Sequence, residues 1–228
     1  MNLPSSGVRI FKAALSPASA EALLQVARSL YAALEARKND DAASLAEMDL
    51  RKSNDLWGGL RLSSTVALCH EDDIVGGLTL MAAATTVVES ICGRWSTIPL
   101  VAWEHSFLRR LTPEKPAGVP WHCDAEAAST MLLPGWEQIV SAWVPLVAVG
   151  ESLPTLEVAV GSNAVMREQE LVAANHRDAA WVEGLALEKI APTLDPGDAI
   201  AFDQTTLHRT QQVAVTAERV TLEVRFVP

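Results

Sequence analysis

Downstream of Pro99 the chain stops reading as helix, and this change of texture limits the folds open to it. Short apolar runs alternate with turn residues: Leu100 to Leu111, Val119 to Asp124, Ile139 to Val149, Leu156 to Val160, Ala199 to Phe202 and Val220 to Val227. Runs of this length and spacing predict short strands, and their number predicts an antiparallel sandwich or barrel. Upstream the pattern is helical. Ser16 is placed to cap a helix and Pro17 to occupy its first turn. Leu23, Leu24, Ala27, Leu30, Tyr31 and Leu34 then recur at helical spacing to about Arg37. A polar segment follows to about Leu60, then a β-like run from Ser64 to Cys69. A second helix is expected from about Glu71 through Ile91, closed by Cys92-Gly93. The expected fold is mainly β with flanking helices, a jelly roll backed by N-terminal helices.

A chain of 228 residues fits a single domain. Residues of about 1–98 form the helical support region, and about 99–228 form the jelly-roll core. A helix-leaning insertion lies near 163–190, with Met166, Leu171, Val172, Trp181 and Leu185 as its apolar residues. Apolar residues make up 49% of the chain and charged residues 20%, which excludes whole-chain disorder. The net charge of −10 argues against nucleic acid and anionic membranes as partners, since both require basic clusters. The apolar stretch from about Gly76 to Val88 is too short and too rich in Thr and Gly to span a bilayer. Cys69, Cys92 and Cys123 are odd in number and form no C-x-x-C pair, and the N-terminus has no charged-then-apolar signal pattern. A disulfide framework is therefore not expected, and a reducing cytoplasm is the natural setting.

Chemistry concentrates in three places. In Val119-Pro120-Trp121-His122-Cys123-Asp124-Ala125, a strand would point His122 and Asp124 the same way, because side chains alternate faces with period two. An imidazole and a carboxylate on one face supply two legs of a facial metal site. His208 follows the turn Asp195-Pro196-Gly197-Asp198 and its strand, where a barrel brings late residues beside early ones, and it is the candidate third ligand. Arg219 and Thr221 share a face of the last strand and make a carboxylate clamp, the guanidinium bidentate and the hydroxyl an added donor. Each feature has an ordinary counterpart: a hydrogen-bonded His–Asp pair, a core histidine, an exposed Glu218–Arg219 pair. Their joint order along the chain favours the site.

In that order the sequence resembles the phytanoyl-CoA dioxygenase-like (PhyH) family of iron(II)/2-oxoglutarate oxygenases. The resemblance is carried by Val119 to Ala125, Ala142-Trp143-Val144-Pro145-Leu146, Pro154 to Ser162, Pro196 to Asp203, Thr206 to Thr210 and Arg219 to Phe226. These blocks cover about residues 100–228. The resemblance implies a cupin-like double-stranded β-helix in which His122, Asp124 and His208 hold Fe(II). It also implies that Arg219 and Thr221 bind the distal carboxylate of 2-oxoglutarate, with Trp143 near that co-substrate and Arg109 or Arg110 pointing toward the co-substrate or the substrate. The implied activity is oxidation of a small-molecule C–H bond, with O2 and 2-oxoglutarate converted to succinate and CO2. Chlorinating relatives replace the carboxylate ligand with Gly or Ala. Asp124 is present here, so hydroxylation is favoured over halogenation. Cys123 stands where the family often has Gln and Asn163 where it commonly has His; neither is a metal position.

Two other readings use the same ligands: a non-oxidative cupin-type metal binder, and a zinc hydrolase. The Arg219-x-Thr221 clamp argues against the first, and the lack of a compelling general base argues against the second. Of the remaining candidates, His105 is expected on a strand as a structural or pocket-rim residue, and His70 and His176 in solvent. Cys123 is expected to face away from the metal. Glu223 and Arg225 share the Arg219 face and are expected to pair with each other. Trp95, Trp103, Trp121, Trp136, Trp143 and Trp181 are core candidates, and Trp136 and Trp181 lie near loops that could line a substrate pocket.

Overall fold

In the computed structural model, the nine-residue strand Arg219–Val227 (β10) runs through the middle of the larger of two antiparallel sheets. The structure describes residues 3–37, 44–57, 59–93, 99–125, 139–168 and 178–228. The earlier strands are Val8–Phe11 (β1), Gly59–Arg61 (β2), Leu100–Val101 (β3), Phe107–Leu111 (β4), Val140–Pro145 (β5), Leu156–Ala159 (β6), Lys189–Ile190 (β7), Ala199–Asp203 (β8) and His208–Thr210 (β9). The larger sheet has the order β1-β8-β5-β10-β4-β2, with β3 also pairing β10, and the smaller has the order β7-β6-β9.

The alternation of β10 divides the molecule. Val220, Leu222, Val224 and Phe226 are fully buried on one face, in the main apolar cluster. Across that face lie helices Pro17–Ala36 (α1), Leu62–Asp72 (α3) and Ile74–Cys92 (α4), which supply Leu23, Leu24, Leu68, Leu80 and Val87 to the same cluster. Full burial of one such side chain stabilises by about 1.5–3 kcal/mol. The other face of β10 carries Arg219, Thr221, Glu223 and Arg225 toward the smaller sheet.

Helix α1 begins as its sequence dictates: Ser16 Oγ accepts from the Ser19 amide at 3.1 Å, and Pro17 follows. The Tyr31 hydroxyl donates to the Leu108 carbonyl at 3.0 Å and ties this helix to β4. Helix α4 is capped by Asp73, whose Oδ1 accepts from Gly76 N at 3.0 Å, and it ends at Gly93 with φ +74°. At 19 residues α4 is longer than its apolar run suggests. By length and composition alone it is apolar enough to cross a membrane, a test that the core helix of a folded domain also passes. Its inner face, Gly76, Gly77, Leu80, Ala83, Ala84, Val87, Val88 and Ile91, is buried.

Three other expectations need correction. The run Ser64 to Cys69 is not a strand but the body of α3. Leu62, Thr65, Leu68 and Cys69 are buried at helical spacing, and Thr65 Oγ1 donates to the Arg61 carbonyl one turn back. Packing of α3 against α4 on one side and helix Leu45–Trp57 (α2) on the other thus overrides the β preference of Thr65 and Val66. That second helix lies in the segment read as merely polar. The N-terminal region is also more than a helical support, because β1 and β2 join the larger sheet. Asp198 secures the chain just past the end of β1, its carboxylate accepting from the amides of Ala13 (2.9 Å) and Asp195 (3.0 Å) and from Lys12 Nζ (2.6 Å). Gly197, at φ +90°, makes the turn possible, since a Cβ there would lie 2.4 Å from the Leu15 carbonyl oxygen. Within the insertion, Ser162–Glu168 (α5) and Ala179–Gly184 (α6) are helical. Leu171, Val172, His176, Trp95 and Trp136 lie outside the described residues, as does the side chain of His70.

Candidate metal centre

His122 and His208 face each other across a single antiparallel bridge. Each backbone N–H donates to the other's carbonyl, at 3.0 and 2.9 Å. The sequence predicts a full strand from Val119 to Asp124, but only this bridge forms, and the chain turns at Asp124. Pro120 has no N–H to extend the ladder. The turn nevertheless leaves His122 and Asp124 on the same side, with Nε2 of one 4.0 Å from Oδ1 of the other. One ligand atom from each of His122, Asp124 and His208 lies within 4.8 Å of the others.

Backbone contacts orient both imidazoles. His122 Nδ1 bonds the Pro120 carbonyl at 2.8 Å, and His208 Nδ1 bonds the Thr206 carbonyl at 3.0 Å. A carbonyl only accepts, so Nδ1 carries the proton and Nε2 carries the lone pair in each ring. Burial pulls both imidazoles below their ordinary value of 6.5, and for His122 the neighbouring His208 adds to the effect. Neutral imidazoles are the form that ligates a metal. Burial alone would raise the Asp124 carboxyl, but Arg225 and then the imidazoles outweigh it and hold the group well below the usual carboxylate range. Two neutral nitrogens and one ionised oxygen therefore converge. This donor set, with positions left open, suits a non-haem iron better than a closed structural zinc.

The carboxylate of Asp124 is gripped from the sheet. Arg225 donates through Nε to Oδ2 at 3.0 Å and through a terminal nitrogen to Oδ1 at 2.7 Å, while Ser141 Oγ donates to Oδ2 at 2.5 Å. This corrects the expected Glu223–Arg225 pairing. Glu223 pairs instead with Arg109, at 2.6 Å. Their spacing on β10 puts Glu223 and Arg225 on one face, but partners on other chain segments compete for both, and no sequence pattern names those partners. Arg109 lines the cavity beside the histidines, whereas Arg110 turns outward to Glu218 (2.7 Å) and Glu35 (3.2 Å).

Arg219 lines the same cavity and is 3% exposed. One terminal nitrogen donates to the Pro154 carbonyl at 3.1 Å, and the guanidinium lies 5.5 Å from the centre of the Trp143 ring. Its Nε and the buried Thr221 hydroxyl have no hydrogen-bond partner among the described residues. Burial lowers the Arg219 guanidinium to about 10, which leaves it charged at neutral pH. A buried cation with an unused donor beside an unused hydroxyl fits a carboxylate, and 2-oxoglutarate carries one at its far end. Trp143 is 3% exposed and lines the cavity, and the Phe202 ring lies 4.4 Å from that of His208.

Other candidates fall elsewhere. His105 lies on a single helical turn, Trp103–His105, rather than a strand, and burial and then Arg225 lower its imidazole. Cys123 is fully buried among Trp121, Met166, Val182 and Leu207, away from the metal ligands. The part of Ser141 is missed by sequence reading. Only the register that sets Ser141 opposite Arg225 brings them together.

The family model for phytanoyl-CoA dioxygenase (PhyH) matches residues 5–220. Among solved structures, EctD from S. alaskensis, determined with 2-oxoglutarate and 5-hydroxyectoine, aligns with a TM-score of 0.64 at 19% identity, covering 98% of this chain and 72% of its own. The non-haem α-ketoglutarate-dependent carbocyclase SnoK from nogalamycin biosynthesis aligns with a TM-score of 0.63 at 15% identity, covering 97% and 79%. The α-ketoglutarate-dependent epimerase SnoN from the same biosynthesis aligns with a TM-score of 0.58 at 16% identity, covering 98% and 78%. At these identities the likeness is one of fold. No curated protein sequence matches the chain.

Proposed function

This chain belongs to the phytanoyl-CoA dioxygenase (PhyH) family, and from that premise we propose that it hydroxylates an unactivated C–H bond of a free small molecule or natural-product scaffold. Enzymes of this family are Fe(II)- and 2-oxoglutarate-dependent oxygenases. The observation that carries the reading is the convergence, in one cavity, of the His122–Asp124–His208 cluster and the Arg219 guanidinium with its unused Nε. A bare metal binder has no use for that buried cation. In this reading the two sheets form a double-stranded β-helix, and residues 1–228 form one oxygenase domain.

His122 and His208 present Nε2, and Asp124 an oxygen, to Fe(II). Three protein ligands leave open positions for 2-oxoglutarate and O2. The bound iron, with these two co-substrates, supplies the oxidising chemistry, and the protein supplies position and exclusion of water. Arg219 receives the distal carboxylate of 2-oxoglutarate, with Thr221 as a second donor. Burial strengthens that contact, because few waters compete for either group. Trp143 lies against the guanidinium and limits its rotation. Arg109 is held by Glu223 at 2.6 Å on the cavity wall, where it orients the co-substrate's metal-proximal end or the substrate. Retention of Asp124 favours hydroxylation over halide transfer.

The test is an aerobic incubation with Fe(II), 2-oxoglutarate and a panel of small molecules, read as substrate-stimulated succinate and as product mass. Hydroxylation adds one oxygen atom to the product. A product that has lost two hydrogens and gained no oxygen would replace hydroxylation with desaturation or ring closure.

A further inference from the structure

We infer that Arg225 and Ser141 are positioning residues that restrict Asp124 to one ligating oxygen, Oδ1. The inference rests on the reading above, in which Asp124 is a metal ligand. A carboxylate oxygen accepts about two hydrogen bonds. Oδ2 already accepts two, from Ser141 Oγ at 2.5 Å and Arg225 Nε at 3.0 Å. Oδ1 accepts one, from Arg225 at 2.7 Å, and lies on the side of His122 Nε2. The open lone pair of Asp124 is thus on the oxygen that faces the imidazoles.

The grip is rigid because Arg225 is itself held. Its remaining terminal nitrogen donates to the His105 carbonyl, and its backbone N–H donates to Ser106 Oγ at 3.0 Å. Ser141 is the register partner of Arg225 across β5 and β10, so the sheet sets the two donors side by side. All three groups are buried, at 3% exposure for Asp124, 4% for Ser141 and 7% for Arg225. Without the fork, the second oxygen of Asp124 is free to swing onto the metal and take a position that 2-oxoglutarate requires.

Cobalt(II) in the full-length protein tests this without turnover. A crystal structure of the Co(II) protein should show Asp124 bound through Oδ1 alone, with Oδ2 still on Ser141 and Arg225. In titrations, Arg225→Gln should weaken 2-oxoglutarate binding to the Co(II) protein about 10-fold, the size of one lost hydrogen bond to a charged group. Its Co(II) affinity should be unchanged or tighter, because the freed oxygen joins the metal. Ser141→Ala should move the same ratio by about 3-fold, the size of one ordinary hydrogen bond, and it decides the matter if Arg225→Gln does not fold. A parallel loss of both affinities, or no change in either, overturns the inference in favour of a purely structural role. Both oxygens of Asp124 on cobalt in the unaltered protein overturns the inference and leaves the metal centre standing. Failure of the unaltered protein to bind Co(II) at these three residues overturns the metal centre, and this inference with it.

Discussion

The two faces of β10 are buried to a similar degree and differ in everything else. Val220, Leu222, Val224 and Phe226 are each 0% exposed against the helices. Arg219, Thr221 and Arg225 are almost as deeply buried on the opposite face, and Glu223 is half-buried beside them. Apolar burial stabilises without conditions, whereas a buried charge costs free energy until it is paired. Arg225 is paired with Asp124, and Glu223 with Arg109. Arg219 Nε and Thr221 Oγ1 are the exceptions. The face toward the helices makes the sheet stable, and the face toward the cavity leaves unsatisfied donors of the kind that suit a carboxylate.

Substitutions can separate the two faces. His208→Ala, on the cavity side, should abolish succinate formation while leaving the thermal midpoint of the metal-free protein nearly unchanged; a collapse of stability would mean that the site is part of the core. Leu222→Ala should do the opposite, costing about 2–5 kcal/mol in denaturant unfolding while the protein that remains folded keeps its turnover. Arg219→Ala should weaken 2-oxoglutarate binding by about 10- to 100-fold, as expected for a lost charge-assisted contact, with Co(II) affinity unaltered in a metal titration. Arg28, whose pair with Glu218 is 43% exposed on the Arg side, should cost no more than about 0.5 kcal/mol when changed to Ala.

Acid should act through the cavity side. His105, His122 and His208 all sit below 6.5 in the folded protein, chiefly through burial. The unfolded chain therefore takes up protons first as the pH falls. Stability is full above 6.5 and declines as the pH drops from there toward the folded values, with the low Asp124 adding a further loss below its ordinary 3.8. Unfolding midpoints measured from pH 8 to pH 5 check the sign. A metal-free protein that gains stability over that range would contradict it.

The sequence exposes the candidate site more fully than the fold around it. The side-chain parity of Arg219 and Thr221 holds on the strand β10, and that of His122 and Asp124 survives although no regular strand forms there, because a bridge and a turn keep the same side. His208 is legible from its order in the chain. What stays hidden depends on contacts across the fold. The β preference of Ser64 to Cys69 yields to packing between helices. Strand β1 forms because Asp198, 185 residues further on, accepts from Ala13. The choice of Arg109 over Arg110 for the cavity needs the phase of β4, and the partners of Arg225 need the register of β5 against β10. Propensity and spacing are local, whereas pairing of this kind is not.

The most direct measurement is the visible absorption of the protein given Fe(II) and 2-oxoglutarate without oxygen. A 2-oxo acid that chelates iron through its ketone and carboxylate gives a metal-to-ligand charge-transfer band. The expected result is a band that appears on adding 2-oxoglutarate, is absent in His208→Ala, and in Arg219→Ala returns only at higher 2-oxoglutarate. No band from unaltered protein with metal bound would contradict a centre built on His122, Asp124 and His208 and completed by Arg219.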